Sequence, residues 1–202
     1  HYPLRRQRQM CIRDSFLTDS RYTLIAKQSV HGFDIIESKD PLKDIVKFVE
    51  VDKLETIGFD NQVSFAYYQA LQAIFEGYTL SPQTNFMEEL RMIKDEKELA
   101  TIRKACSISD RAFTDVLDFI KPGQTTELQV ANFLDFRMRE YGASGISFES
   151  IIASGYRSAM PHGVASDKVI QSGETLTMDF GCYYNHYAVS YTHLTLPTKR
   201  IV

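Results

Sequence analysis

Residues 81–120 read SPQTNFMEELRMIKDEKELATIRKACSISDRAFTDVLDFI, and this stretch divides the chain. Before Ser81-Pro82, short apolar runs alternate with helical patterns. After it the alternation stops, and one long amphipathic segment occupies residues 87–120, with Asp95 placed to cap its main part. Leu99, Ile102, Cys106, Ser109, Phe113, Val116 and Ile120 recur at three- and four-residue steps, the period of one helix face. Pro122-Gly123 ends the segment.

Towards the N-terminus, Phe16-Leu17-Thr18 predicts the end of a strand, and Asp19 or Ser20 can cap a short helix through Gln28. Phe33-Asp34-Ile35-Ile36 predicts a second strand. Asp40-Pro41 then supplies an N-cap followed by proline at the first helical position, with Leu42, Ile45, Val46 and Val49 as the apolar face. Ile57-Gly58-Phe59 predicts a third strand, and Ser64 opens a helix with Phe65, Tyr68, Leu71 and Phe75 on one side. Strands and helices alternating at this pace predict an α/β layer with parallel pairing. Towards the C-terminus, Thr126-Glu127-Leu128-Gln129 is a capping-box pattern for a helix that reaches Tyr141 and stops at Gly142. Short β segments follow at residues 147–153, 174–179 and 183–188, with a loop to Ser166 between the first two. A small α/β part therefore precedes an α+β part that begins in helices and ends in sheet.

Composition narrows the class. The chain has 202 residues, 44% hydrophobic and 24% charged, ordinary for a globular protein with a real core. No apolar run approaches the ~20 residues that span a bilayer, so no membrane partner is expected. Three cysteines (Cys11, Cys106 and Cys182), widely spaced and odd in number, argue against a disulfide framework or structural zinc and fit a reducing cytoplasm. The net charge of −3 hides an asymmetry. Arg5, Arg6, Arg8 and Arg13 load one end and Lys199 and Arg200 the other, leaving an acidic body. These basic ends lack interleaved aromatics and a binding module, so no nucleic-acid partner is expected.

Chemistry concentrates near the C-terminus. Gly173–Gly181 reads GETLTMDFG, an alternation that puts Thr175, Thr177 and Asp179 on one face of a strand and Leu176 and Met178 on the other. A carboxylate in line with two threonines marks a polar face, although a strand-end Asp is ordinarily a turn residue. Asp-Phe-Gly also occurs in protein kinases, but no glycine-rich loop, lysine strand or His-Arg-Asp loop precedes it here. His162, in Met160-Pro161-His162-Gly163, is flanked by turn residues and belongs on a loop, where a lone histidine is ordinarily an exposed side chain. His186 lies in a hairpin turn and His193 beyond it. Neither has a spacing that would face Asp179 in a metal-ligand set.

Residues 86–105 (FMEELRMIKDEKELATIRKA) follow an R-x-I-K-x-x-x-E-L-x-x-I/L-R-x-A pattern. This pattern resembles the entry into the catalytic domain of Xaa-Pro aminopeptidases and prolidases, the pita-bread metallopeptidases. Lys121-Pro122-Gly123 with Thr126-Glu127, Ser154-Gly155, Pro161-His162-Gly163 and residues 176–181 then occur in that family's order. Residues 16–22 (FLTDSRY) and Ile57-Gly58-Phe59-Asp60 are similar to the second half of the creatinase-type N-terminal domain. The ordered set covers residues 16–188.

The resemblance implies a fold: a partial α/β creatinase-like N-terminal domain over residues 16–84, then the first half of an α+β pita-bread catalytic domain over 85–188. It also implies two divalent metal ions, manganese by preference, with cobalt or zinc as substitutes. Asp179 corresponds to the first metal aspartate. His162 corresponds to a catalytic histidine that contacts substrate and stabilises the tetrahedral intermediate. The implied substrate is a proline-containing peptide, cut at an Xaa-Pro bond at its N-terminus, by a cytoplasmic protein that forms a homodimer in some family members. The family pattern continues past Ala188 with a Ser-Asp and a Thr-Arg-Thr run, whereas this chain has Val189 and Ser190, and the match stops at that junction. The second aspartate, a histidine and two glutamate ligands of the pattern are absent. Residues 1–15 and 189–202, which show no helical or strand period, are therefore expected to be non-native, and the chain as given to be an inactive fragment that binds no metal. Two alternatives stay open: a metal-free pita-bread binding protein, and a creatinase-like amidinohydrolase.

Overall fold

The computed structural model describes residues 15–195. Cys11, the rest of the first fourteen residues and residues 196–202 lie outside the described residues, and with them most of the two segments read as non-native. The chain divides into two units between Ile93 and Lys94.

The first unit alternates as its sequence requires. Its elements are β1 (Ser15–Thr18), α1 (Thr23–Ser29), β2 (Asp34–Glu37), α2 (Pro41–Val51), β3 (Thr56–Asp60), α3 (Phe65–Ile74), β4 (Thr79–Gln83) and α4 (Phe86–Met92). β1 pairs with β2 and β3 with β4, both in parallel, with Phe16 opposite Ile35 and Ile57 opposite Leu80. Asp40 caps α2 by accepting from the Lys43 N–H, with Pro41 at the first position, and Ser64 caps α3 through Tyr67. Val49, Leu71 and Phe75 form the core, packed against Leu42, Ile45, Val46, Ile57 and Leu80. Two expectations fail locally. α1 begins at Thr23 with no side-chain cap, because the Asp19 carboxylate is taken by the backbone and guanidinium of Arg21. Phe65 is 72% exposed, since α3 packs into the core through Leu71 and Ile74, with Tyr68 stacked on Phe59.

The second unit begins with α5 (Glu96–Phe119) and α6 (Glu127–Glu140), followed by β5 (Gly145–Ile146), β6 (Ile151–Ser154), β7 (Leu176–Phe180), β8 (Cys182–Tyr184), β9 (Tyr187–Ala188) and β10 (Tyr191–Thr195). Two antiparallel sheets result, with strand orders β10-β7-β6 and β5-β8-β9. The amphipathic segment over 87–120 holds two helices: Ile93 leaves α4 in extended conformation, and Asp95, the expected cap, forms a full capping box with Glu98 that starts α5. Thr126 and Gln129 do the same for α6. Of the expected strand over 147–153 only residues 151–153 are strand, as part of β6, while β5 precedes that range and residues 147–150 link the two.

The buried stripe of α5 is Ala105, Ile108, Ser109, Ala112 and Val116. It is rotated from the expected face, on which Leu99, Cys106 and Phe113 are only half-buried. Alanines 105 and 112 carry too little apolar bulk to register as a periodic signal, yet they let α5 close on its neighbours. Leu134, Met138, Ile152, Leu176, Met178 and Phe180 complete the core, each fully buried and each contributing about 1.5–3 kcal/mol of transfer free energy. Cys182 is a core residue too, its Sγ 3.6 Å from the Ala105 carbonyl and from the Ser109 hydroxyl, and burial pushes its thiol up. Among the described residues, no helix is long and apolar enough to cross a membrane.

Candidate active site

β7 carries the alternation read from its sequence. Leu176, Met178 and Phe180 are buried, while Thr177 and Asp179 are half-buried on the opposite face. Gly181 follows because nothing larger fits: a Cβ there would lie 2.0 Å from the Val189 carbonyl oxygen and 2.6 Å from the Ser147 hydroxyl. That close approach lets the chain leave β7 and enter β8 while the Ser147 N–H donates to the Gly181 carbonyl and the Ser147 hydroxyl donates to Val189.

Asp179 pairs in register with Ile151 on one side and Thr192 on the other. Its Oδ1 accepts from the Ser190 hydroxyl at 3.3 Å, a contact across eleven positions of sequence. The position that the resemblance assigns to a second aspartate therefore does lie beside the first, but it presents a neutral hydroxyl. Hard divalent cations take six or more oxygen ligands, most of them charged in a site that holds two ions. Among the described residues no group of three or more His, Cys, Asp or Glu side chains converges to hold a metal ion. The donors present do not fit a dinuclear centre.

His162 lies in the turn after a short 3₁₀ segment, Gly155–Ala159, and its side chain is exposed. The loop around it is well fastened. The Val164 N–H donates to the His162 carbonyl, the Met160 N–H to Arg157, and the Thr177 hydroxyl on β7 donates to the Ser158 carbonyl at 3.3 Å. Thr177 shares its strand face with Asp179, so the loop that carries His162 is tied to the face that carries the carboxylate. His186, at φ +70° in the β8–β9 turn, is exposed as expected.

The segment after Ala188 departs from the sequence reading. Residues 191–195 form β10 along the whole of β7, with His193 opposite Met178. Directly opposed residues of an antiparallel pair share a face, so His193 stands on the buried side, away from Asp179. Its ring stacks on Phe113 at 3.9 Å, and its Nε2 is buried with no hydrogen-bond partner. It is no substitute ligand, because the strand aims it at the core.

One buried group went unread in the sequence. Glu127, the first residue of α6, is completely buried. Its Oε1 accepts from the Ser154 N–H and hydroxyl at 2.7 and 2.9 Å. Its Oε2 accepts from Arg157 Nε at 3.0 Å and from the Ser166 N–H and hydroxyl at 3.2 and 2.7 Å. Burial pushes this carboxyl up, but the Ser166 and Ser154 hydrogen bonds and the Arg157 charge together outweigh it and hold the group below its ordinary range. Lys168 extends the cluster, donating to the Ser154 hydroxyl at 2.8 Å and to Glu174 at 2.6 Å. In the sequence Glu127 stood inside a capping-box pattern and in the ordered motif set, neither of which says where its side chain goes.

Residues 100–198 match the model of Metallopeptidase family M24, and residues 7–93 match that of the Creatinase/Prolidase N-terminal domain. The matched ranges reach into both end segments. An uncharacterized peptidase of Bacillus subtilis is 43% identical over 180 residues, which make up 88% of this chain and 51% of that protein. The structure of an Xaa-Pro dipeptidase from Bacillus anthracis superposes with a TM-score of 0.86 at 36% identity, covering 92% of this chain and 52% of the other. An X-Pro aminopeptidase from Thermotoga maritima gives 0.82 at 37% identity, covering 89% and 51%. The chain spans about half the length of the relatives it matches.

Proposed function

Since the chain joins a Creatinase/Prolidase N-terminal domain to part of a family M24 metallopeptidase domain, we propose that the whole protein hydrolyses Xaa-Pro bonds at the N-terminus of short peptides. The observation that supports this reading most is the pairing of the two domain types in this order, shared with relatives named as Xaa-Pro dipeptidase and X-Pro aminopeptidase. Within the reading, Asp179 is a metal carboxylate and His162 a catalytic group whose imidazole donates a hydrogen bond to the oxygen that becomes negative in the tetrahedral intermediate. Two divalent ions, manganese by preference, complete the whole protein's site, and its location is the cytoplasm.

The chain as given is inactive in this account. It supplies one carboxylate and one exposed imidazole, with Ser190 where a second charged oxygen donor is needed. The alternative, a metal-free pita-bread binding protein, would require the ligands to be missing from the whole protein as well. In the whole protein, Asp179→Ala should abolish both metal uptake, read by elemental analysis, and turnover of an Xaa-Pro dipeptide. His162→Ala should lower turnover on the order of a hundredfold or more, the scale of losing one oxyanion donor, with metal retained. Unchanged turnover in either variant contradicts the role assigned to that residue.

A further inference from the structure

We infer that Glu127 is a positioning residue: its carboxylate clamps both ends of the loop over residues 155–166 and so sets where His162 stands. The inference rests on the role proposed for His162, although the clamp itself stands on geometry alone.

Glu127 is not spent on its own helix. Thr126 provides the side-chain cap of α6, Gln129 returns the reciprocal bond, and the Glu127 N–H donates to the Lys168 carbonyl. The carboxylate is free of helix duty and turns instead to three sites far along the chain. Ser154 ends β6 and immediately precedes the loop, Arg157 lies in its first turn, and Ser166 closes it. His162 sits between the last two.

All five donors converge on two oxygens, Oε1 holding the entry to the loop and Oε2 its first turn and exit. The Arg157 guanidinium, anchored by Glu127 at Nε, also donates from Nη2 to the Val164 carbonyl at 2.7 Å, two residues beyond His162. Inside the clamp the loop has little room, since a Cβ on Gly163 would lie 2.9 Å from that of Ala153. Burying a carboxylate is costly unless it is fully hydrogen-bonded and paired, and such a pair is weak evidence of net stability. Here it imposes the geometry of the segment presenting the imidazole.

A glutamine at 127 keeps the volume but replaces one oxygen with a donor, so either the Ser154 pair or the Arg157–Ser166 set loses its acceptor. Hydrogen exchange of the 202-residue chain, followed by peptide mass spectrometry, tests this. In Glu127→Gln, amides of residues 155–166 should exchange about tenfold faster or more, the scale of losing charge-assisted bonds, while those in the middle of α5 keep the wild-type rate. Arg157→Gln, which removes one partner of the carboxylate together with the bond to the Val164 carbonyl and leaves the carboxylate satisfied by serines, should speed exchange in the same loop by a smaller factor. It serves as the readout if Glu127→Gln fails to fold. Loop exchange unchanged in the folded variants, or equal acceleration in loop and helix, overturns the inference.

In the whole protein, a double-mutant cycle separates positioning from general support. Glu127→Gln should lower kcat more than it raises KM, and should cost little further once His162 is alanine. Additive losses overturn the positioning role. If His162→Ala by itself leaves turnover intact, the fault lies in the role assigned to His162, and the exchange result still decides the clamp.

Discussion

Asp115 shows how much single carboxylates contribute in the second unit. It accepts from the Tyr141 hydroxyl and from Arg137, whose Nε lies 2.7 Å away, and Arg111 stacks over the Tyr141 ring at 3.7 Å, so the end of α6 is bound to α5. The Tyr141 hydrogen bond, followed by those of Arg137, lowers the Asp115 carboxyl below its ordinary value. The sign follows from linkage. A depressed carboxyl contributes its stability above the unfolded value near ~4 and loses it as the pH falls through the folded value. Asp115→Asn should therefore lower the urea midpoint at pH 7, and the gap from wild type should close as the pH is taken below the ordinary carboxylate range. A gap that stays constant from pH 7 into that acid range contradicts the assignment. Asp115 and Glu127 were equally silent in the sequence, for one reason: their partners lie 22 to 39 positions away, and no local period encodes that distance.

At the scale of elements, what was legible was what local chemistry decides. Asp40-Pro41, Ser64, Asp95 and Thr126 all cap the helices they were expected to cap, because a cap needs only three or four neighbouring residues. The Thr177/Asp179 face of β7 was equally clear, since strand alternation is local. β10 was not. Tyr191–Thr195 has no alternation of its own and is a strand because β7 offers it a ladder from Leu176 to Phe180. The start of α5 at Asp95 was legible, but the end of α4 was not, because the extended backbone at Ile93 has no cap residue to announce it. Gly181 gives the sharpest test at this scale. Gly181→Ala forces a Cβ against backbone at Val189 and should destabilise the second unit by about 1–3 kcal/mol, the cost of overpacking. Chemical denaturation followed by the fluorescence of its tyrosines reads this, and an unchanged midpoint would mean that the β7–β8 exit is looser than described.

At the scale of the molecule, two units occur in the order creatinase-type domain, then M24 domain, and together they match about half the length of the relatives. The order of the two parts was legible from the strand–helix alternation, but its expected end at Ser81-Pro82 falls inside β4, and the units part only after α4, between Ile93 and Lys94. The sequence reading also found Ser190 where the family pattern has an aspartate, and the structure adds that this hydroxyl touches the Asp179 carboxylate. In the proposed function Asp179 is a metal carboxylate with too few charged donors around it in this chain. The direct measurement is hydrolysis of an Xaa-Pro dipeptide by the purified 202-residue chain with manganese, cobalt or zinc supplied, alongside calorimetric titration of each metal. No metal-dependent turnover and no saturable uptake of two ions per chain are expected. Robust turnover that disappears on adding a chelator would contradict that expectation.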